Sequence, residues 1–281
     1  MEIMQPNQLR ALQLCENEIL QAVAGICEKN GLCYYLSAGT LLGAVRHRGF
    51  IPWDDDVDIM MPLADYRRFL EIGQRELGDA YFLQTYMTDP NFNNAFAKIR
   101  KANTTYMDTY DVNYDIHHGV WIDIFPVVYI NDGFSLKLKR RVLQASNYIQ
   151  MWDKIQSHRE EFAGKLGRFG MFLSRAVSHL PMERRQKLHR SMVEYVLGGK
   201  PGRCSHMTVV WNGITCIYPK DVFEGAPNRV PFEDSEFDAP PGHLRYLELT
   251  YGDYMTPPPP EKRYGHGKQM LLDFNAAYHC K

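Results

Sequence analysis

Leu36-Ser37-Ala38-Gly39-Thr40-Leu41-Leu42-Gly43-Ala44-Val45-Arg46-His47-Arg48-Gly49-Phe50-Ile51-Pro52-Trp53-Asp54-Asp55-Asp56-Val57-Asp58-Ile59-Met60-Met61 is the stretch on which the reading of the chain turns. The apolar run Tyr34 to Leu36 reads as the end of a strand, Ser37 to Thr40 as a turn of small residues, and Leu41 to Val45 as a helix. Such a junction leaves the first N–H groups of the helix without intrahelical acceptors, so it makes a seat for phosphate oxygens. Ser37, Gly39 and Thr40 are the candidate ligand-binding residues there, with Arg46 beyond them.

Downstream, Asp54, Asp55, Asp56 and Asp58 crowd together beside apolar Val57, Ile59 and Met60. Like charges so placed repel unless a cation neutralises them. The alternation Asp56-Val57-Asp58-Ile59 has the period of a strand, which sends both carboxylates to one face and Val57 and Ile59 into the core. A pair of hard oxygen ligands selects Mg²⁺ or Mn²⁺, ions that complete their shells with water and substrate phosphates. A calcium loop fits Asp54, Asp56 and Asp58 but fails afterwards, where the turn glycine is replaced by Ile59 and the last ligand position holds Asp65 rather than Glu.

Gly39-Thr40-Leu41-Leu42-Gly43, Arg46-His47 and Gly49-Phe50-Ile51-Pro52-Trp53-Asp54-Asp55-Asp56-Val57-Asp58-Ile59 together resemble the LicD family of phosphocholine transferases, which is similar to the fukutin group. The segment Tyr251-Gly252-Asp253-Tyr254-Met255, followed by Pro257 to Pro260 and Glu261 to His266, looks like the same pattern at the other end of the chain. The resemblance implies an α/β (α+β) fold of nucleotidyltransferase type, a mixed sheet flanked by helices, in which the Gly-Thr turn binds donor phosphates and the Asp-x-Asp pair binds metal. It also implies a third carboxylate on a later strand. Asp123, in Trp121-Ile122-Asp123-Ile124-Phe125, meets that requirement: a charge between Ile122 and Ile124 is costly to bury unless paired or metal-bound. Asp56, Asp58 and Asp123 are therefore the expected metal ligands and catalytic carboxylates. His118, before the Asp123 strand, is a further candidate for handling a proton.

Lys98 and Arg100 fall on one face of an earlier strand and are candidates for donor phosphates. The proline run reads as a rigid strap that carries Lys262, Arg263 and His266 back over the site. If the donor carries choline, its quaternary ammonium is best held by aromatic faces, for which Trp53, Trp121, Tyr106 and Tyr110 lie closest to the acidic motifs.

The chain has 281 residues, of which 45% are hydrophobic and 23% charged, enough for a sizeable core. Its formal net charge of −1 gives no reason to expect a nucleic-acid partner. No apolar run reaches the ~18–20 residues of a membrane span, and the start Met1 to Pro6 has neither a basic region nor an apolar signal core. A cytoplasmic protein is expected, and the absence of Cys-x-x-Cys spacing among its six cysteines fits free thiols.

Periodicity organises the chain into a catalytic core at 1–133, a helical basic insertion at 134–203, and C-terminal strands with the strap at 204–281 that complete the core. The expected order begins with a helix over Asn7 to Lys29, strands at Leu32 to Leu36 and Val57 to Met61, and a helix from Pro62 to about Gly73. Further strands are expected at Tyr81 to Tyr86, Ala95 to Lys101, Thr104 to Met107, Val120 to Ile130, Met207 to Trp211 and Val230 to Phe232. Between Phe134 and Arg190 thirteen Lys or Arg stand against four acids. With these cations expected to face outward, the block marks a surface for an anionic partner, such as the inner face of a membrane.

The function implied by the resemblance is metal-dependent transfer of phosphocholine from CDP-choline, or a similar CDP-alcohol, to a sugar hydroxyl of a lipid-linked cell-surface glycan precursor of teichoic acid, lipopolysaccharide or capsule type. Transfer of another polyol phosphate or of the nucleotide, or an inactive scaffold on the same fold, are the alternatives.

Overall fold

The computed structural model describes residues 4–92, 94–108, 115–130, 134–150, 179–198, 206–210, 216–265 and 269–278. Helix α1, Pro6–Asn30, buries Leu12, Ile19, Leu20, Val23 and Cys27, a helical stripe that packs against the sheet, and ends at Gly31. Strand β1, Tyr35–Leu36, leads directly into α2, Ala38–His47. An extended loop carrying the aspartates follows, then β2, Asp58–Pro62, and α3, Leu63–Leu77, whose Tyr66 and Phe69 are buried. Strands β3 (Tyr81–Gln84), β4 (Ala97–Lys101), β5 (Thr105–Asp108) and the long β6 (Trp121–Ile130) come next.

Helices α4, Phe134–Gln150, and α5, Met182–Leu197, precede β7 (His206–Val209), β8 (Tyr218–Pro219) and the hairpin β9 (Asn228–Phe232) to β10 (Ser235–Ala239). Helix α6, His243–Tyr251, and β11, Gln269–Asp273, complete the order.

The main sheet is seven-stranded, ordered β1-β2-β6-β4-β3, with β7 pairing the far half of β6 and β8 pairing β7. Its β2–β6 ladder is parallel and its other ladders antiparallel, a mixed sheet as expected. The parallel register sets Asp58 opposite Asp123, while β4 sets Lys98 opposite the same Asp123 from the other side. β6 is therefore the strand on which the site is assembled, and Val57, Ile59, Ile122 and Ile124 beside it are fully buried.

Two expectations are corrected. The strand period of Asp56-Val57-Asp58-Ile59 begins two residues late: Asp56 lies in the loop, and β2 starts at Asp58. The cations of the basic block do not all face outward, because Lys139 is buried and its Nζ donates to the carbonyls of Val196 and Gly198, 2.9 Å each, closing the C-terminus of α5. A small core of Val128, Ile130, Leu143, Val193, Val196 and Val210 binds α4 and α5 to β6 and β7. Residues 151–178 of the basic block lie outside the described residues. Among the described residues no helix is long and apolar enough to cross a membrane.

Candidate active site

The turn at the head of α2 is held from two sides. Ser37 N donates to Asp58 O at 3.0 Å, and Thr40 Oγ1 accepts from Asp58 N at 2.8 Å, so the expected phosphate-binding turn also fixes the backbone of Asp58. Ser37 Oγ lies 3.1 Å from the hydroxyl of Tyr246 on α6, which in turn accepts from Ala38 N. Ala38 opens the helix at φ 42°, a left-handed conformation that a residue with a Cβ adopts only where its surroundings over-determine it. Gly39 is required by close approach: a Cβ there would stand 2.7 Å from Asp54 Oδ2. The acidic loop thus folds its own carboxylate onto the N-terminal turn of α2, where negative charge is favoured.

Carboxylate oxygens of Asp54, Asp55 and Asp56 lie within 4.8 Å of one another. Burial first, then the charges of Asp56, Asp123 and Asp54, hold the Asp58 carboxyl well above the usual carboxylate range. The structure therefore brings the expected trio Asp56, Asp58 and Asp123 into one electrostatic neighbourhood and adds Asp54 and Asp55. The signal for those two was in plain view as an uninterrupted acidic run. Asp123, 9% exposed, receives Lys98 Nζ at 2.5 Å, and that ammonium also sits 4.3 Å from the centroid of the Trp121 ring.

Arg100 shares the strand face of Lys98 but is fully buried, donating from Nε to Gln84 Oε1 at 2.5 Å and from Nη1 to Gly119 O at 2.9 Å. The core network of Gln84, Asp89 and the His117 backbone continues from it. Trp121 stacks on Tyr106 at 4.7 Å and has Arg100 over its ring at 4.7 Å, so its faces are already engaged by the protein. Tyr106 reaches Asp55 Oδ2 with its hydroxyl at 3.4 Å. His118 is buried, its ring edge-on to Tyr278 at 5.4 Å, on the side where β5 pairs β11.

Arg46 is at the far end of α2 from Gly39, roughly 10 Å along the axis at the usual rise. It donates to Tyr254 O at 2.7 Å, and burial lowers its pKa while Tyr251 and Asp54 raise it. The strap does cross the acidic loop. Arg263 lies 5.2 Å over Trp53, and Gly265 is pressed so closely on Asp55 that a Cβ would fall 2.6 Å from its Cγ. Lys262, one residue before Arg263, is exposed. His266 and Tyr110 lie outside the described residues.

Sequence reasoning missed α6 and the β9–β10 hairpin as parts of this site. α6 supplies Tyr246 to the Ser37 turn, yet only Tyr246 and Leu247 are buried on it, so it carries almost no periodic signal. The hairpin supplies Glu233, at φ 57°, which accepts from Phe50 N at 3.1 Å and from Arg10 Nη2 at 2.5 Å, while Glu233 N donates to Arg48 O at 2.9 Å. A single acidic side chain thereby clamps the start of the aspartate loop to α1. A charged residue in a short turn gives no such hint in sequence.

The donor set is all oxygen, crowded and largely buried, which fits a hard divalent cation and would not suit zinc. Asp54, Asp55 and Asp56 are the described residues whose carboxylate oxygens meet, with Asp58 and Asp123 in their electrostatic neighbourhood, and their chemistry fits that ion.

Residues 31–163 match the family model described as the LicD/FKTN/FKRP nucleotidyltransferase domain, which bears out the resemblance seen in the motifs. The chain is 28% identical over 274 residues to the lipopolysaccharide cholinephosphotransferase LicD of Haemophilus influenzae, covering 92% of this chain and 95% of that one. It is 28% identical over 152 residues to the human ribitol 5-phosphate transferase FKRP, covering 50% of this chain and 30% of the relative.

Proposed function

We propose that this protein is a metal-dependent phosphotransferase that moves an alcohol phosphate, phosphocholine first, from a CDP-activated donor to a sugar hydroxyl of a cell-surface glycan precursor, releasing CMP. The observation that carries the reading is the register of Asp58 against Asp123 with Asp54, Asp55 and Asp56 folded above them, in a chain similar over nearly its whole length to a cholinephosphotransferase.

Phosphoryl transfer asks the protein mainly for positioning and for neutralisation of charge. Asp54, Asp56, Asp58 and Asp123 would hold Mg²⁺ or Mn²⁺, which when bound neutralises the donor's phosphate oxygens. The Gly39–Thr40 turn presents N–H groups to those oxygens, and Arg46 adds positive charge from the other end of α2. Lys98, drawn onto Asp123 in this structure, has the reach to exchange that partner for a donor phosphate. Asp123 so released would either complete the metal shell or take the proton of the attacking hydroxyl. Arg100 keeps the strand in place from the core.

Trp53, on the acidic loop, is the aromatic residue proposed for a choline headgroup, which would take the place that Arg263 holds over its ring in this structure, since Trp121 and Tyr106 face each other. The 28% identity to a ribitol phosphate transferase supports the second reading, a polyol phosphate donor. The acceptor would be lipid-linked and reached from the cytoplasmic side by peripheral contact with anionic membrane.

The test is to incubate the protein with Mg²⁺ and CDP-choline, CDP-ribitol or CDP-glycerol and to follow thermal protection and CMP release. Protection and release strongest with CDP-choline support the first reading, and strongest with CDP-ribitol the second. Protection without any CMP release, in the presence of a glycan acceptor extract, would leave a binding protein instead of an enzyme.

A further inference from the structure

Helix α1 passes beneath the acidic loop and turns Gln13, Glu16 and Asn17 toward the interior, all three buried. Their spacing puts them on one face of the helix. Gln13 fixes that face against the loop by donating from Nε2 to Asp54 O at 3.0 Å. One turn further on, Glu16 is only 1% exposed, and its Oε2 has no hydrogen-bond partner among the described residues. Asn17 Oδ1 beside it is in the same condition.

The charges that act most strongly on Glu16 are Asp56, Asp55 and Asp54, in that order, all of its own sign. Elsewhere on α1 carboxylates are matched with bases, as Glu18 is with Lys101 at 2.5 Å. The neighbours of Glu16 in the stripe, Leu12, Ile19 and Leu20, show what packing alone selects at this depth. A carboxyl buried among carboxylates with an open acceptor site is among the most costly placements a fold can hold. Something that donates hydrogen bonds or carries positive charge is what makes it tolerable.

We infer that Glu16 is a further member of the cation centre: its carboxyl faces the ion held by the acidic loop from the α1 side and accepts hydrogen bonds from that ion's water shell. The inference rests on the proposed metal-binding reading of the loop. Carboxylates that hold metal-bound water from behind the direct ligands usually matter by 10–100-fold in affinity.

Mn²⁺ titration followed by electron paramagnetic resonance, on the full chain, tests it together with the melting temperature of the metal-free protein. Glu16→Gln, which keeps shape and removes charge, should weaken Mn²⁺ binding by about tenfold or more. Its metal-free melting temperature should equal or exceed that of the wild type, because the cost of burying a carboxyl among carboxylates has gone. Glu16→Met should behave the same way. A Mn²⁺ affinity of Glu16→Gln within twofold of wild type overturns the inference, and so does failure of both variants to fold without metal, since a carboxyl kept for a cation is dispensable to the empty fold. Asp58→Asn serves as the reference. Loss there with none at Glu16 rejects the role of Glu16 and leaves the metal reading standing, whereas wild-type protein that takes up no Mn²⁺ rejects both.

Discussion

In the α4–α5 pair Lys139 turns inward to two carbonyls at the end of α5, and Ser146 meets His189 Nδ1 in a buried contact between the helices. In the acidic loop, by contrast, Asp54, Asp55, Asp56, Asp58 and Glu16 gather charges of one sign, and Lys98 is the base paired with Asp123 at their edge. Both regions bury ionisable groups, but the helices pair theirs with neutral or opposite partners while the loop brings several carboxylates together. Burial of like charge is a cost to the fold, and here it is concentrated at the candidate site.

The sharpest way to break that contrast is to remove the internal cation. Lys98→Met leaves Asp123 buried beside Asp58 without its ammonium and should cost roughly 3–5 kcal/mol in urea unfolding of the metal-free protein. A cost under ~1 kcal/mol would show that Asp123 relies on something other than Lys98. Asp58→Asn should act in the opposite sense on the two readouts: turnover falls about a hundredfold or more, ~2.7 kcal/mol, while metal-free stability holds or rises. Retention of more than about a tenth of turnover would remove Asp58 from the metal centre.

The helical pair is tested by pH. Burial holds the His189 pKa down at about 4 against an ordinary 6.5, so the unfolded chain binds the proton more readily than the folded one. The stability that His189 contributes is complete above about pH 6.5 and is lost as pH falls toward 4. Chemical denaturation across that window should show a decline to which His189 contributes up to about 3 kcal/mol, a share that His189→Gln removes, with His117, also held at about 4, accounting for the slope that remains. An unchanged slope in the variant would place the titration elsewhere. The smallest effect is expected at Lys139→Met, about 1 kcal/mol, because the stem still packs and only the charge at the end of α5 is lost. Amide exchange confined to the last turn of α5 is the readout, and faster exchange throughout α4 would mean that Lys139 does more than cap.

Much of the fold was legible because it repeats locally. The α1 stripe, the strand-turn-helix at Ser37 and the alternation around Asp123 each declare themselves within a dozen residues, and the motifs carried the resemblance that the family match bears out. The alternating pattern runs on through Asp56, yet Asp56 lies in the loop, and β2 starts at Asp58, one residue after the expected Val57. Lys98 and Arg100 were legible as a same-face pair, but their fates diverge: one reaches Asp123, the other is absorbed by Gln84 and Gly119 O.

The sequence by itself determined the acidic run, the small-residue turn before it and the isolated aspartate of β6, because residue type and spacing already state a demand for oxygen ligands and for an anion seat. Only the tertiary structure decided who stands around them. α6 brings Tyr246 to Ser37, the β9–β10 turn brings Glu233 to Phe50, the strap brings Gly265 onto Asp55, and α1 brings Glu16 beneath the loop. Each of these contacts joins segments far apart in the chain, through side chains whose burial depends on packing that no local period encodes.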